Sequence, residues 1–559
     1  MALIELARSL GSLLLIAFFL GTAAILGICI YRLYFHPLAK YPGPFLAKLT
    51  TGYAVYHAYL RDLHTDIWAC HEKYGDIVRY GPNRLIINSE PGLKGIYGHG
   101  ANVHKAKGYE KVTQVPGVHA SLCTLDNARH KKLRRLLNLG LSDTNIRAMD
   151  GKLRNVASLF ATALGEKEDR FDTATGHIGD DDKWTVAKNM AHWCKGSPML
   201  PLCSLLRKDG GLICGFIGDF FTFDVMSELT FGTSYNLLGS SENHYIIDGV
   251  LGQMQRFGFL LQYPLVEKLR LDRVLFPHAK AKAMRFNAKS KQIMEERKAR
   301  GERGAAAEND VFSHLLAAND SETGQGLSIQ QLWVESNLLI IAGSDTSSTA
   351  MAALFFYLSR NPDAYARVTR EIRSVFNSPE EVSQGPKLSS CSYLRACIQE
   401  AIRLSPAVSA AMWREVLPGG LTIPEHDLQI PAGCEVGTGI WSLNHSAKYF
   451  SDPLTFRPER WITEEWSGGS EEVALAKAAF ASFSVGPRNC VGKGLAMMEL
   501  MLGMAAVLVR YDIRRAETRL GSVGEEASGP LKGQFKTFWA FTSLKDGPYI
   551  QFRPVKSAA

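Results

Sequence analysis

Phe483, Gly486, Arg488, Cys490 and Gly492 fall within ten positions of one another near the end of a 559-residue chain. Gly486 and Gly492 permit backbone angles closed to other residues and let a large group approach the main chain. Pro487 and Asn489 favour a tight turn between them. From Gly492 onward the sequence reads as a helix running to about Arg510, so Cys490 stands at a helix N-terminus with Arg488 two residues away. Free backbone N–H groups and a guanidinium both lower a thiol's pKa, and a thiolate held this way is a soft metal ligand. A buried structural cysteine is the plain alternative. A phosphate loop is excluded: five residues separate Gly486 from Gly492-Lys493 where four are needed, and Gly494 stands where Ser or Thr belongs.

A second group, Ala342-Gly343-Ser344-Asp345-Thr346-Ser347, lies inside a long apolar run. An acid and hydroxyls in an apolar helix are costly unless they are used. Gly343 and the Thr346 hydroxyl open the helical hydrogen-bond ladder and leave room for a water; a polar kink without chemistry is the other reading. A third group, Glu400 and Arg403, has the i, i+3 spacing of an ion pair, flanked by Tyr393, Leu394, Ile398, Ile402 and Leu404, which bury part of that helix.

These motifs, in this order, resemble the cytochrome P450 haem-thiolate monooxygenases, over about residues 32 to 555. Phe-x-x-Gly-x-Arg-x-Cys-x-Gly followed by Leu495-Ala496 is similar to that family's haem-ligand loop. The resemblance implies a mainly α fold with small β-sheets, preceded by one N-terminal transmembrane helix. It implies haem b as cofactor, Cys490 as the axial ligand of the haem iron, Phe483 as the ring shielding it, Gly492 as part of the loop and Arg488 as a propionate partner. His130, Arg134 and Arg414 match further propionate-binding positions. Asp345 and Thr346 match the pair that delivers protons for dioxygen activation. Glu400, Arg403 and Arg460, the last within Phe456-Arg457-Pro458-Glu459-Arg460-Trp461, match a structural network behind the haem loop.

The elements that must position these groups are legible around them. Ser328 with Gln331 makes a capping box, and the pattern it opens runs to Asn361-Pro362, roughly 32 residues or about 48 Å. The spacing predicts a basic helix over residues 128 to 142, with His130 and Arg134 on one face; Arg129, Lys131, Lys132 and Arg135 on it suit docking of an acidic electron donor. A strand is predicted from Tyr80 to Asn88. Trp184–Trp193 and Phe220–Gly232 read as one helix interrupted by an insertion at 195–218, whose Gly-Ser-Pro and Asp-Gly-Gly sequences break any helical period. Thr537–Phe541 and Tyr549–Arg553 read as two short strands; the resemblance implies that their turn reaches the substrate and that Ala407–Met412 line the pocket.

No charged residue lies between Arg8 and Arg32; at ~1.5 Å per residue the span reaches roughly 34 Å, enough to cross a hydrocarbon core of about 30 Å. The expected division is a transmembrane anchor at 1–31, a proline-rich linker at 32–48 and a catalytic domain at 49–559. Arg32, Lys40 and Lys48 after the span place that domain in the cytosol, which for this family means a single-pass protein of the endoplasmic reticulum membrane. The composition, 46% hydrophobic and 21% charged, is that of a globular chain with a large core. Ten cysteines without a Cys-x-x-Cys pair indicate a reducing compartment. A formal charge of +8, spread along the chain, gives no ground for nucleic-acid binding.

The expected activity is insertion of one oxygen atom from O2 into a hydrophobic small molecule. The wording of the connector His36–Pro44 is typical of filamentous-fungal members and points to a polyketide, terpenoid or alkaloid of secondary metabolism, with aromatic-acid or xenobiotic hydroxylation as the alternative. Electrons are expected from NADPH through a separate NADPH-cytochrome P450 reductase, with a b-type cytochrome as a further donor. A haem-thiolate isomerase or peroxide-using enzyme has no need of Asp345 and Thr346. A non-catalytic haem sensor, or an inactive product of a translated 195–218 insertion, are the remaining readings.

Overall fold

The computed structural model describes residues 2–111, 113–165, 184–185, 187–190, 217–302, 310–320, 322 and 324–555. Ala2–Ile30 is one helix, extended by a single π turn over Tyr31–Phe35. Ile4–Phe35 has a mean hydropathy of 2.7, and its most apolar stretch is not buried against the rest of the chain. By length and composition it can cross a bilayer. Ile329–Leu358 passes the same test at 1.4, but 78% of its most apolar stretch is buried, so it is a core helix.

The connector is pinned as well as stiff. Leu38 and Tyr41 bury themselves beside Leu85, Ile87 and Leu93. Arg32 donates to the Leu49 carbonyl at 2.5 Å, and Arg79 reaches back to the Arg32 carbonyl at 2.7 Å. No helix forms from His36 to Pro44, as the prolines require, but Phe45–Leu49 is helical.

Ile329–Leu358 is the axis of the core. The Ser328 hydroxyl accepts from the Gln331 N–H at 3.2 Å to open it, and Pro362 starts a new helix just past its end. Ile217–Phe231, Ser392–Leu404 and Lys493–Arg510 pack along it. To one side stands a five-stranded sheet in the order Ile77–Gly81, Arg84–Ile87, Glu435–Gly437, Arg414–Val416, Val103–Lys105. The predicted strand at Tyr80–Asn88 is thus the hairpin of its first two members. Its last two members set Lys105 directly opposite Arg414.

Two expectations fail. Lys188–Asn189 is not helical: it pairs with Tyr549–Ile550 at the edge of a three-stranded sheet. Trp184–Trp193 and Phe220–Gly232 are therefore not one continuous helix, and the second begins at Ile217. The insertion at 195–218 lies outside the described residues except for Ile217 and Gly218. The terminal strands also partner differently: Thr537–Trp539 pairs with Ser543–Lys545, while Tyr549–Pro554 pairs with Tyr511–Arg515.

Candidate active site

The cysteine loop is fixed by its backbone. The Cys490 N–H donates to the Phe483 carbonyl at 2.9 Å, closing the loop on itself. Gly486 has φ 71°, and a Cβ there would collide with the Tyr97 carbonyl, so only glycine fits. A Cβ at Gly492 would meet nothing within 4 Å. Phe483 is half-buried, edge-on to Phe480, with the Lys493 ammonium 5.5 Å from its ring centre. Cys490 is exposed at the end of this loop, beside the exposed Asn489.

The charges around the thiol differ from the sequence-based expectation. Gly492 caps a helix that begins at Lys493. The Arg488 guanidinium turns away and donates to the Thr124 carbonyl at 3.0 Å and to Asn127 Oδ1 at 2.9 Å. Loss of bulk water pushes the Cys490 thiol above its ordinary pKa; the Gly492 N–H, Arg134 and Lys493 pull the other way without winning. A metal cation at the sulfur removes that proton outright.

Around His130, cations converge. Arg134 donates to the Asn489 carbonyl at 2.5 Å and to Asn489 Oδ1 at 2.7 Å, clamping the residue before Cys490. Arg414 donates to the carbonyls of Met412 and Trp413 and lies over the Tyr97 ring. Lys105, opposite Arg414 in the sheet, is buried with its ammonium 4.2 Å from the Tyr109 ring centre. Burial, then Arg414 and Arg488, push the Lys105 pKa well below the ordinary range. His130 is driven down to about 3 by burial and by Arg488, Lys105, Arg134 and Arg414. The hydrogen bonds drawn here from the three arginines go to carbonyl and amide oxygens, none to a carboxylate. Like charges facing each other across a sheet are destabilising. A group carrying two carboxylates satisfies this cluster, a soft-metal centre satisfies the exposed cysteine, and haem has both.

The long helix presents its own opening. Ala342 is exposed and Thr346 half-buried in the middle of an otherwise buried helix. The Thr346 hydroxyl donates to the Ala342 carbonyl at 2.7 Å, which leaves the hydroxyl oxygen's lone pairs available. Gly343 stands at a close contact between helices. Its missing side chain admits Met226 from Ile217–Phe231, and a Cβ would sit within 2.9 Å of three Met226 atoms. Asp345 is buried on another face of the helix.

Residues 216–523 match the family model described as Cytochrome P450. Cytochrome P450 monooxygenase apf7 of Gibberella fujikuroi is 54% identical over 532 residues, 94% of this chain and 95% of that protein. Cytochrome P450 monooxygenase AKT7 of Alternaria alternata is 38% identical over 95% of this chain and 96% of its own length. Cytochrome P450 monooxygenase atnE of Emericella nidulans is 37% identical over 94% of both. The chain belongs to the cytochrome P450 family. It is a monooxygenase, and its cofactor is haem.

In this cytochrome P450 the Glu400 network is closed on all sides. Arg403 makes two bonds of 2.9 Å to the Glu400 carboxylate, Arg460 a third of 2.9 Å, and Trp461 Nε1 a fourth of 3.0 Å. Burial alone would raise the Glu400 pKa; Arg403 and Arg460 outweigh it and hold the carboxylate below its usual range. Arg403 also donates to the carbonyls of Asn444 and Pro453, and Asn444 in turn bonds Ser482 and the Ala481 N–H. Ser482 adjoins Phe483, so this network fixes one end of the cysteine loop.

The basic helix runs from Asn127 to Gly140, with Asp126 as its cap. Its cationic face is less open than the sequence suggested. Arg135 is held by Asp320 at 2.6 Å and Glu322 at 2.7 Å, Arg129 donates to Gln331, and Lys131 lies 3.8 Å from Glu322. Sequence reasoning also missed two groups at the P450 site. Lys105 gave no signal, because only the pairing with Arg414 brings it there. Glu499 did: it is an isolated acid in the apolar helix Lys493–Arg510, the same anomaly that drew attention to Asp345. Buried opposite Ser347, neither Glu499 oxygen has a hydrogen-bond partner, and burial pushes its pKa up to about 8.

Proposed function

We propose that this cytochrome P450 inserts one oxygen atom of O2 into a hydrophobic small molecule of fungal secondary metabolism. NADPH would supply the electrons through a membrane-bound reductase, with a b-type cytochrome as a second donor. The observation that carries the reading is the exposed Cys490 together with Lys105, Arg134, Arg414 and Arg488 gathered around His130, Arg134 also gripping Asn489 beside the cysteine. When bound there, haem supplies dioxygen activation at a thiolate-ligated iron, where the sulfur's electron donation favours O–O cleavage.

The chain's own residues do the rest. Cys490 would hold the iron, with Phe483 as the ring shielding the sulfur and Lys493 over that ring. Lys105, Arg414 and Arg488 offset the propionate charges, His130 packs among them as a neutral ring, and Arg134 acts one step removed by holding Asn489. Glu400, Arg403 and Arg460 lock the loop in place. Thr346 orients a proton donor toward the haem site, and Asp345 behind it is the source of protons. The substrate would lie between the long helix and the turn at 540–542, which is tied to the Ala407 carbonyl by the Ser543 N–H at 2.7 Å.

The catalytic domain faces the cytosol from a single span in the endoplasmic reticulum membrane. Relatives from Gibberella, Alternaria and Emericella support the fungal context. The test is incubation of reductase-containing microsomes with candidate polyketides, terpenoids and alkaloids under isotope-labelled dioxygen. A product heavier by one labelled oxygen atom, formed only with NADPH, supports the proposal. Product made equally well without O2, or with peroxide alone, contradicts it.

A further inference from the structure

Behind the opening in the long helix lies a buried charge cluster. Lys545, at the end of Ser543–Lys545, points into the core with 3% of its side chain exposed. Its ammonium lies 3.2 Å from Asp219 Oδ1, 2.8 Å from the Ser348 hydroxyl and 3.9 Å from Asp345 Oδ1. Asp219 sits in the first turn of Ile217–Phe231 and is buried, as is Asp345. Asp345 Oδ2 is fully enclosed and has no hydrogen-bond partner.

One ammonium therefore faces two carboxyl groups away from water. It is closer to Asp219, so Asp219 takes the counter-ion. A second carboxylate with an unsatisfied oxygen would be a net charge left in low dielectric, which proteins avoid by neutralising the group. We propose that Asp345 rests as the protonated acid and that Lys545, shared with Asp219, is the positioning residue that sets how readily it gives the proton up. This rests on the reading of Asp345 as the proton source at the P450 site.

Three groups act on Asp345. Burial favours its neutral form first, Lys545 and the nearby Thr542 hydroxyl oppose that, and Asp219 reinforces it. Other buried ionisable groups on the helices packed against this stretch have different neighbours. Glu499 faces Ser347, Glu400 and Arg403 are bonded to each other, and Asp224 accepts from Ser234, Leu237 and Leu238. The cluster also joins three distant parts of the chain, so the C-terminal hairpin that borders the substrate reports directly to the acid. A substrate that shifts the turn at 540–542 would move Lys545 with it.

The test is infrared titration of the full-length protein, reading the carbonyl stretch of protonated carboxylic acids, with Asp345→Asn to assign the band. Wild type should show an Asp345 band at neutral pH that Asp345→Asn removes, while the Glu499 band stays. Lys545→Gln removes the stabilising cation and should move the loss of the band upward by about 1–3 pH units. Asp219→Asn removes the competing anion and should move it downward. Lys545→Arg keeps the charge and should leave it near the wild-type position. Damage to packing alone would move Lys545→Gln and Asp219→Asn in the same direction. No Asp345 band at neutral pH, or shifts of the same sign in those two variants, overturns the proposal. Should the two Asp345-neighbour variants fail to fold, the wild-type band and Lys545→Arg still decide it. Normal product yield without extra peroxide release in Asp345→Asn, alongside the expected titrations, would instead defeat the proton-source reading and leave the charge assignment standing.

Discussion

Lys105 and Arg414 face each other across two antiparallel strands, and that opposition of like charges is the clearest sign that this part of the site takes an anionic group. Replacing Lys105 by Gln removes one of the converging cations. The expected result is normal folding with faster loss of haem, read as a lower porphyrin-to-protein ratio after dialysis. Glu499 carries a second consequence. Its pKa rises from an ordinary 4.5 to about 8 on folding. The folded protein thus keeps a proton that the unfolded chain has already released, and stability falls as pH rises between those values. Glu499→Gln should flatten that decline, measured as the difference in melting temperature between the two ends of the window. Cys490, Asp345 and the Glu400 network were legible at this scale because each is chemically out of place in its local sequence. Lys105 was not, since a lone lysine near the end of a short strand looks like any surface residue.

The elements were legible where their signals are local. Ser328 and Gln331 announced the long helix within one turn, and Asn361-Pro362 announced its end. Lys188–Asn189 could not be read, because two residues become a strand only by pairing with Tyr549–Ile550, some 360 positions later. The packing role of Gly343 was not legible for a related reason: its missing side chain serves the approach of Met226 from another helix. A larger residue there must push two helices apart. Gly343→Val should destabilise by about 1–3 kcal/mol, the usual cost of overpacking, in a denaturant series. The Glu400 helix allows a sharper expectation. Glu400→Gln would strand two buried guanidinium groups, a loss of about 3–5 kcal/mol, and should loosen the cysteine loop through Asn444 and Ser482. Haem retention and denaturant midpoint should therefore fall together.

At the scale of the whole molecule, two devices hold the chain in place. The apolar helix Ala2–Ile30 leaves the protein unburied, and the connector after it is bonded to the sheet through Arg32, Arg79 and the buried Leu38. Deleting residues 1–30 should leave the haem spectrum intact and allow extraction by alkaline carbonate, while the full chain stays in the membrane pellet. The apolar N-terminal helix and the order of motifs were readable from composition and spacing alone. The second apolar helix shows what spacing does not settle, since Ile329–Leu358 is equally long yet lies in the core.

All of this turns on Cys490 as the thiolate that grips haem iron. The most direct measurement is the absorption spectrum of the reduced full-length protein under carbon monoxide. The account predicts the far-red-shifted Soret band of thiolate-ligated haem, lost in Cys490→Ala. Freshly folded protein that carries no porphyrin, or that shows the band of a histidine-ligated haem, would contradict it.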